Sequence, residues 1–229
     1  TDDDLTIVVC PASLKWNWKY EASHHLGMKS LVLSGSKPPS TGIITSRSLL
    51  IINYDILRFW IPQLKQLDPK LVIIDEVHFL LNRYSKRTVA VRELCRDVPY
   101  ILGLGGTPLI NRPAELWPTL NIIRPDKYPT FHSFAKDHCS PRLKPWGWEY
   151  KGATNLGRLN KGLLENLLIR RRKQDVLKDL PAKTRTILPL ELPDRKEYNH
   201  ALHDFQGWLR QTAGTNLHGA HKAEQLVKM

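Results

Sequence analysis

The stretch Leu71-Val72-Ile73-Ile74-Asp75-Glu76-Val77-His78 decides the fold. Its four consecutive apolar residues read as a strand buried on both faces, the usual condition of strands in a parallel sheet. The run delivers two adjacent carboxylates to its tip. Successive strand residues point to opposite faces, so Asp75 and Glu76 are expected to take different tasks. One carboxylate can hold a magnesium ion, directly or through water. The other can orient or deprotonate an attacking water. His78 lies slightly further on, where it can sense a phosphate or link to a nucleic-acid surface. The plainer alternative is a strand end with two solvated acids and an incidental histidine.

Outward from this stretch, short β-rich runs alternate with helical patterns. Leu5–Val9, Leu31–Leu33, Ile43–Thr45, Leu49–Asn53 and Tyr100–Leu104 read as further strands. Leu5–Val9 ends at Cys10-Pro11-Ala12-Ser13, where Ser13 is placed to cap a helix carrying Leu14, Trp16, Trp18, Tyr20 and Leu26. Ser85 is placed to cap a helix reaching Val98, and Pro113 suits the first turn of one reaching Asn121. Such repetition predicts an α/β fold, a parallel sheet flanked by helices on both faces. Ligands of these sheets lie at the carboxyl ends of the strands. Pro11–Ser13, Asp75–His78 and Gly106–Pro108 all fall there. Gly105-Gly106 lets the backbone turn sharply, and Thr107 can hydrogen-bond across to the acidic strand end; a simple exit turn is the alternative. The helix start at Pro11–Ser13, with Lys15 behind it, can offer free amides to a DNA phosphate, or be an ordinary capped helix.

The chain changes character after Pro113. Pro125 to Gly152 is rich in Pro, Trp and Lys and reads as an excursion from the core. A helix is expected around Leu156–Leu168, then the basic run Arg170-Arg171-Arg172-Lys173, then a strand over Thr184–Leu192. Tyr198, Leu202, Phe205 and Leu209 recur at helical spacing. The basic run can neutralise phosphates or form a solvated face. Trp146-Gly147-Trp148 can stack on bases or pack beneath a loop. His132, His138, Cys139, His200 and His203 lack the spacing of a metal site. A phosphate-cradling G-x-x-x-x-G-K-[ST] loop is missing from the sequence. Gly27-Met28-Lys29-Ser30 comes nearest, but its lysine is displaced by one position and it follows a helix.

Bulk composition fits this picture. The 229 residues are 41% hydrophobic and 24% charged, which excludes an unfolded chain. A formal net charge of +12 favours a polyanionic partner, nucleic acid above all. Cys10, Cys95 and Cys139 are odd in number and widely spaced, which argues for a reducing, intracellular setting. No apolar run approaches the ~20 residues of a membrane span. The acidic start, Thr1-Asp2-Asp3-Asp4, is unlike the basic opening of a signal peptide.

Taken in order, the segments resemble the Swi/Snf family of superfamily 2 helicase-like motors. Ile7-Val8-Val9-Cys10-Pro11-Ala12-Ser13-Leu14 with Trp18 and Glu21 is similar to motif Ia. Ile51-Ile52-Asn53-Tyr54-Asp55 is similar to the family's I-T-x-Y-[DE] segment, and Asp75-Glu76-Val77-His78 to motif II, usually D-E-A-H. Gly106-Thr107-Pro108-Leu109 with Asn111, Glu115, Leu116 and Trp117 resembles motif III and its helix. Arg170-Arg171 with Lys173, Asp175, Val176, Leu180, Pro181 and Lys183 resembles R-R-x-K-x-D-V…L-P-x-K. Arg112-Pro113-Ala114-Glu115-Leu116, Pro129 to Phe134 and Pro145-Trp146-Gly147-Trp148 are similar to the annealing-helicase, fork-remodelling branch.

The resemblance implies a RecA-like first motor lobe, with ATP and magnesium as cofactors and duplex or branched DNA as partner. Asp75 would bind magnesium and Glu76 would activate water. His78 and Thr107 would couple nucleotide state to DNA grip. Pro11, Ala12, Ser13, Lys15, Asn53, Tyr54, Arg170, Arg171 and Lys173 would meet DNA. Expected divisions are 1–124, a lobe lacking its phosphate-loop strand; 125–183, the excursion and basic helix; and 184–229, a strand and helices leading to a second lobe. The missing strand and motif I would lie upstream of Thr1, and the second lobe with its arginine finger beyond Met229. Loss of that strand would leave a gap in the sheet. Gly105 and Val77 depart from the family's usual Ser/Thr and Ala. A non-catalytic basic DNA-binding module and an RNA-directed helicase are the alternatives. The setting would be the nucleus in a eukaryote, or the cytoplasm or nucleoid in a prokaryote or virus.

Overall fold

The apolar runs become neighbouring strands. A computed structural model describes residues 4–39, 49–106, 112–171, 176, 179, 184–186, 195–205 and 207–208. Among them, β1 (Thr6–Cys10), β2 (Ser30–Val32), β3 (Leu49–Asn53), β4 (Leu71–Ile74) and β5 (Tyr100–Gly103) form one parallel sheet in the order β2-β3-β1-β4-β5. The expected α/β architecture is the one observed. The run Ile43–Thr45 lies outside the described residues, as do residues 187–192 of the expected strand Thr184–Leu192; Thr184–Thr186 are not in a strand.

Alternation along each strand explains why the runs are wholly apolar. Ile7 and Val9 of β1 join one core cluster, while Val8 and Cys10 join another. β3 repeats this with Leu50 and Ile52 against Leu49 and Ile51. Both faces are covered, so both must be apolar. On one face α2 (Tyr54–Gln66) and α3 (Lys86–Cys95) supply Leu57, Leu64, Val91 and Leu94. On the other, α1 (Lys15–Leu26) supplies Ala22, with Trp18 packed alongside.

Local signals are kept in part. Ser85 caps α3 by accepting from the Thr88 amide at 3.2 Å, and α4 (Pro113–Ile123) begins at Pro113. Ser13 does not cap a helix: it lies in a 3-10 turn, Ala12–Leu14, and α1 starts without a side-chain cap. The backbone after β1 tightens before it relaxes into α1, so the serine falls inside the turn.

The segment after Pro125 builds a core of its own. α5 (Phe131–His138), a hairpin of β6 (Arg142–Lys144) and β7 (Gly147–Glu149), and α6 (Leu156–Asn166) follow α4. Leu116, Trp117 and Leu120 of α4 pack with Phe134 and Ala135 of α5 and with Leu159 and Leu163 of α6. Ile122 of α4 belongs to the sheet cluster instead. α4 is therefore apolar around its circumference because it serves two cores. The chain divides into two compact units, Thr1–Arg170 and Arg171–Met229. The second contains α7 (Arg195–His203).

The expected gap does not exist. β4 pairs directly with both β1 and β5, through Val9↔Ile74 and Ile74↔Gly103 among others. Among the described residues the sheet's edges are β2 and β5, and along β5 Tyr100 and Leu102 stand exposed.

Candidate functional site

The carboxyl ends of β3, β1, β4 and β5 bring Asn53, Cys10, Asp75 and the Leu104–Gly106 turn into one row. β4 itself stops at Ile74, yet the Asp75 amide still donates to the Val9 carbonyl at 2.8 Å. Asp75 is then held twice more. Trp18 Nε1 donates to its Oδ2 at 2.8 Å, and the Tyr54 hydroxyl donates to its main-chain carbonyl. The Tyr54 ring stacks on Phe79, with centroids 5.2 Å apart. Burial first, and the Asp75 charge second, push the Tyr54 hydroxyl above its ordinary range. The same two causes push the Cys10 thiol up to about 12, so both groups stay protonated at neutral pH.

Glu76 parts from Asp75 by backbone conformation, not by strand alternation as expected. Its φ of 54° and ψ of 60° are left-handed, an unfavourable place for a side-chain-bearing residue and one that clusters at functional sites. The turn starts the 3-10 segment Val77–Leu80. It brings His78 Nδ1 to 3.0 Å from Glu76 Oε2, with both side chains partly exposed. Val77 faces inward, and its amide donates to the Leu104 carbonyl at 2.9 Å. A Cβ at Gly103 would sit 2.9 Å from Val77 Cγ1, and one at Gly105 3.2 Å from Val77 Cγ2. The two departures from the family pattern are thus one: the larger valine fills the space that a side chain at position 105 would need.

The other expected site residues are distributed unevenly. Ala12 and Ser13 are exposed and Pro11 partly so, just beyond β1. Lys15 Nζ donates to the Leu33 carbonyl at 3.0 Å, tying α1 to the segment after β2. Asn53 and Tyr54 are buried, at 6% and 2% exposure. Arg170 and Arg171 are exposed. Thr107 and Lys173 lie outside the described residues. Trp18 and Tyr54 as holders of Asp75 are what residue-by-residue reading missed. Trp18 sits one turn into the helix that leaves β1, the neighbour of β4, and that adjacency is the signal that would have found it.

The donor set fits a hard cation held partly by ligands from outside the protein. Asp75 Oδ1 has no hydrogen-bond partner among the described residues. Nor do those residues include a group of three or more His, Cys, Asp or Glu able to cage a metal. Magnesium typically keeps several waters and binds through one or two carboxylates and substrate phosphates.

The SNF2-related domain profile matches residues 2–226. The chain belongs to that family. Among relatives of this SNF2-related domain, the SWI/SNF-related matrix-associated actin-dependent regulator of chromatin subfamily A-like protein 1 of Xenopus laevis is 36% identical over 188 residues, covering 80% of this chain and 19% of that protein. The human DNA annealing helicase and endonuclease ZRANB3 is 28% identical over 217 residues, covering 89% and 20%. The chain therefore spans about a fifth of these relatives' length. The SWI2/SNF2 ATPase core of Sulfolobus solfataricus, solved with double-stranded DNA, superposes with a TM-score of 0.64 at 24% identity, over 79% of this chain and 37% of that one. That likeness fixes the fold of the SNF2-related domain as RecA-like. No helix among the described residues is long and apolar enough to cross a membrane.

Proposed function

We propose that this SNF2-related domain is part of an ATP-dependent motor that tracks along duplex DNA and remodels or anneals it. The observation that carries the reading is the different restraint on two adjacent acids at the tip of an interior strand. Asp75 is clamped by Trp18 and Tyr54 with one oxygen left over. Glu76 is turned aside into solvent reach beside His78. In this reading Asp75 is the magnesium ligand, and the bound ion supplies charge neutralisation on the nucleotide phosphates. Glu76 orients water and accepts its proton. His78 holds the Glu76 carboxylate in place, and His78 and Thr107 couple nucleotide state to DNA grip.

DNA contact falls to Pro11, Ala12 and Ser13, where the 3-10 turn opens beyond β1, and to Arg170, Arg171 and Lys173. Lys15 and Tyr54 also tie neighbouring segments together, through the Leu33 and Asp75 carbonyls, and Asn53 lies at the end of β3 in the same row. Residues 1–124 serve as part of a first lobe, 125–183 as its appended segment, and 184–229 as the approach to a second lobe. The exposed edge of β5 is where a further parallel strand carrying a phosphate loop would pair. The names of the relatives and the DNA-bound neighbour support the DNA side of the reading.

This chain alone is expected not to turn over ATP, because it has no phosphate-cradling loop. A coupled ATPase assay on the pure chain, with and without duplex DNA, checks that; measurable DNA-stimulated turnover refutes it. In a longer protein that includes motif I, duplex DNA should stimulate turnover more than single-stranded RNA does. The reverse preference would point to an RNA-directed helicase.

A further inference from the structure

One surface of the first unit has no place in the ATP chemistry. The hairpin β6–β7 pairs Leu143 with Trp148 and Lys144 with Gly147, and turns through Pro145-Trp146, where Gly147 takes a φ of 123°. Trp146 is 80% exposed, Trp148 55% and Tyr84 76%. All three line one open cleft of about 560 Å³ with Arg83, Arg112 and Phe131. The tryptophans therefore do not pack beneath a loop.

The cleft is built, not frayed. The Arg83 guanidinium lies 3.4 Å from the centre of the Phe131 ring and 4.6 Å from that of Tyr84, and donates to the Tyr84 hydroxyl at 2.8 Å. Phe131 meets Trp117 and Tyr150 edge-on, at 5.6 and 5.0 Å between centroids. Those contacts anchor the floor in the second core. Glu149 is answered by Lys151 at 3.0 Å. Arg83, Arg112 and Lys151 line the same cleft and add positive charge around the rings.

Large exposed apolar rings on a folded domain mark an interaction site. Flat aromatic faces interleaved with arginine and lysine suit unpaired nucleic-acid bases, whose own faces stack on the rings while the cations meet the phosphates. An intact duplex hides those faces within its own stack. We propose that this cleft captures an unpaired DNA strand, the single-stranded arm of a fork or bubble, separately from the duplex contact at the strand ends. The inference rests on the DNA-motor reading for its choice of DNA. Its measurement needs no nucleotide, so either can fail while the other stands.

The test is fluorescence anisotropy with labelled oligothymidylate and with a duplex of equal length, at one salt concentration, on the 229-residue chain. Trp146→Ala/Trp148→Ala should weaken single-strand binding about 10- to 100-fold, since base–aromatic stacking is lost, while duplex binding changes less than about twofold, being set by phosphate contacts. Trp146→Phe/Trp148→Phe retains ring faces and should stay within about threefold of the parent. Circular dichroism establishes that each variant is folded. Unchanged single-strand affinity in the folded alanine variant overturns the inference, and so does an equal loss for duplex. A loss as large in the phenylalanine variant also overturns it, because stacking would not be the cause.

Discussion

Glu76→Gln in a motor that carries this domain is expected to lower ATP turnover by about 10²–10⁴-fold while nucleotide affinity is kept, the range that removal of a general base produces. The amide matches the carboxylate in size and leaves the left-handed turn intact, but it cannot accept a proton. The substitution therefore separates chemistry from folding and binding. Steady-state turnover and equilibrium nucleotide binding, measured on the same preparation, give the two halves of the result. Normal turnover in this variant would remove Glu76 from the role proposed for it. Asp75→Asn should behave differently, losing magnesium-dependent nucleotide affinity along with turnover, if Asp75 is the metal's ligand as proposed.

Ile74→Ala should have the largest effect on stability, about 2–5 kcal/mol of unfolding free energy, from the lost transfer energy and the cavity left behind. Ile74 is fully buried in the cluster joining the sheet to α2 and α3. Such a loss is a large share of the roughly 5–15 kcal/mol that holds a domain together. Ile74→Val removes one methyl and should cost about 0.5–1.5 kcal/mol. Urea unfolding followed by circular dichroism measures both. Equal, small costs for the two variants would mean that β4 is not the interior strand described. Ile74 also directly precedes Asp75, so the alanine variant should disturb the acids as the strand end loosens.

Much of this was legible in the chain. Apolar runs of four or five residues ending in polar turns betrayed the parallel sheet, and Asp75-Glu76 marked the strand end that matters. Ser85 and Pro113 signalled their helices because capping and φ restriction act within a few residues. What was hidden depends on contacts distant in sequence. That β4 lies between β1 and β5 follows from tertiary pairing, so the sequence suggests a central gap where the structure has an open edge along β5. α2 contains Pro62, and its buried Leu57, Trp60 and Leu64 hold it to the sheet despite the missing amide. The hydrogen bond from the Tyr54 hydroxyl to the Asp75 carbonyl joins residues 21 apart in sequence, so no local pattern announces it. The hairpin at Trp146 showed only as composition, because three-residue strands leave almost no periodic signal.

The central claim is that Asp75 and Glu76 receive the nucleotide's metal and its attacking water. A crystal structure of the complete motor with magnesium and a non-hydrolysable ATP analogue tests it most directly. The metal should lie within direct or one-water reach of Asp75, with the terminal phosphate on the side of Glu76, at the carboxyl ends of β1 and β4. Phosphates bound elsewhere, with Asp75 still held by Trp18 and no metal near it, would contradict the account.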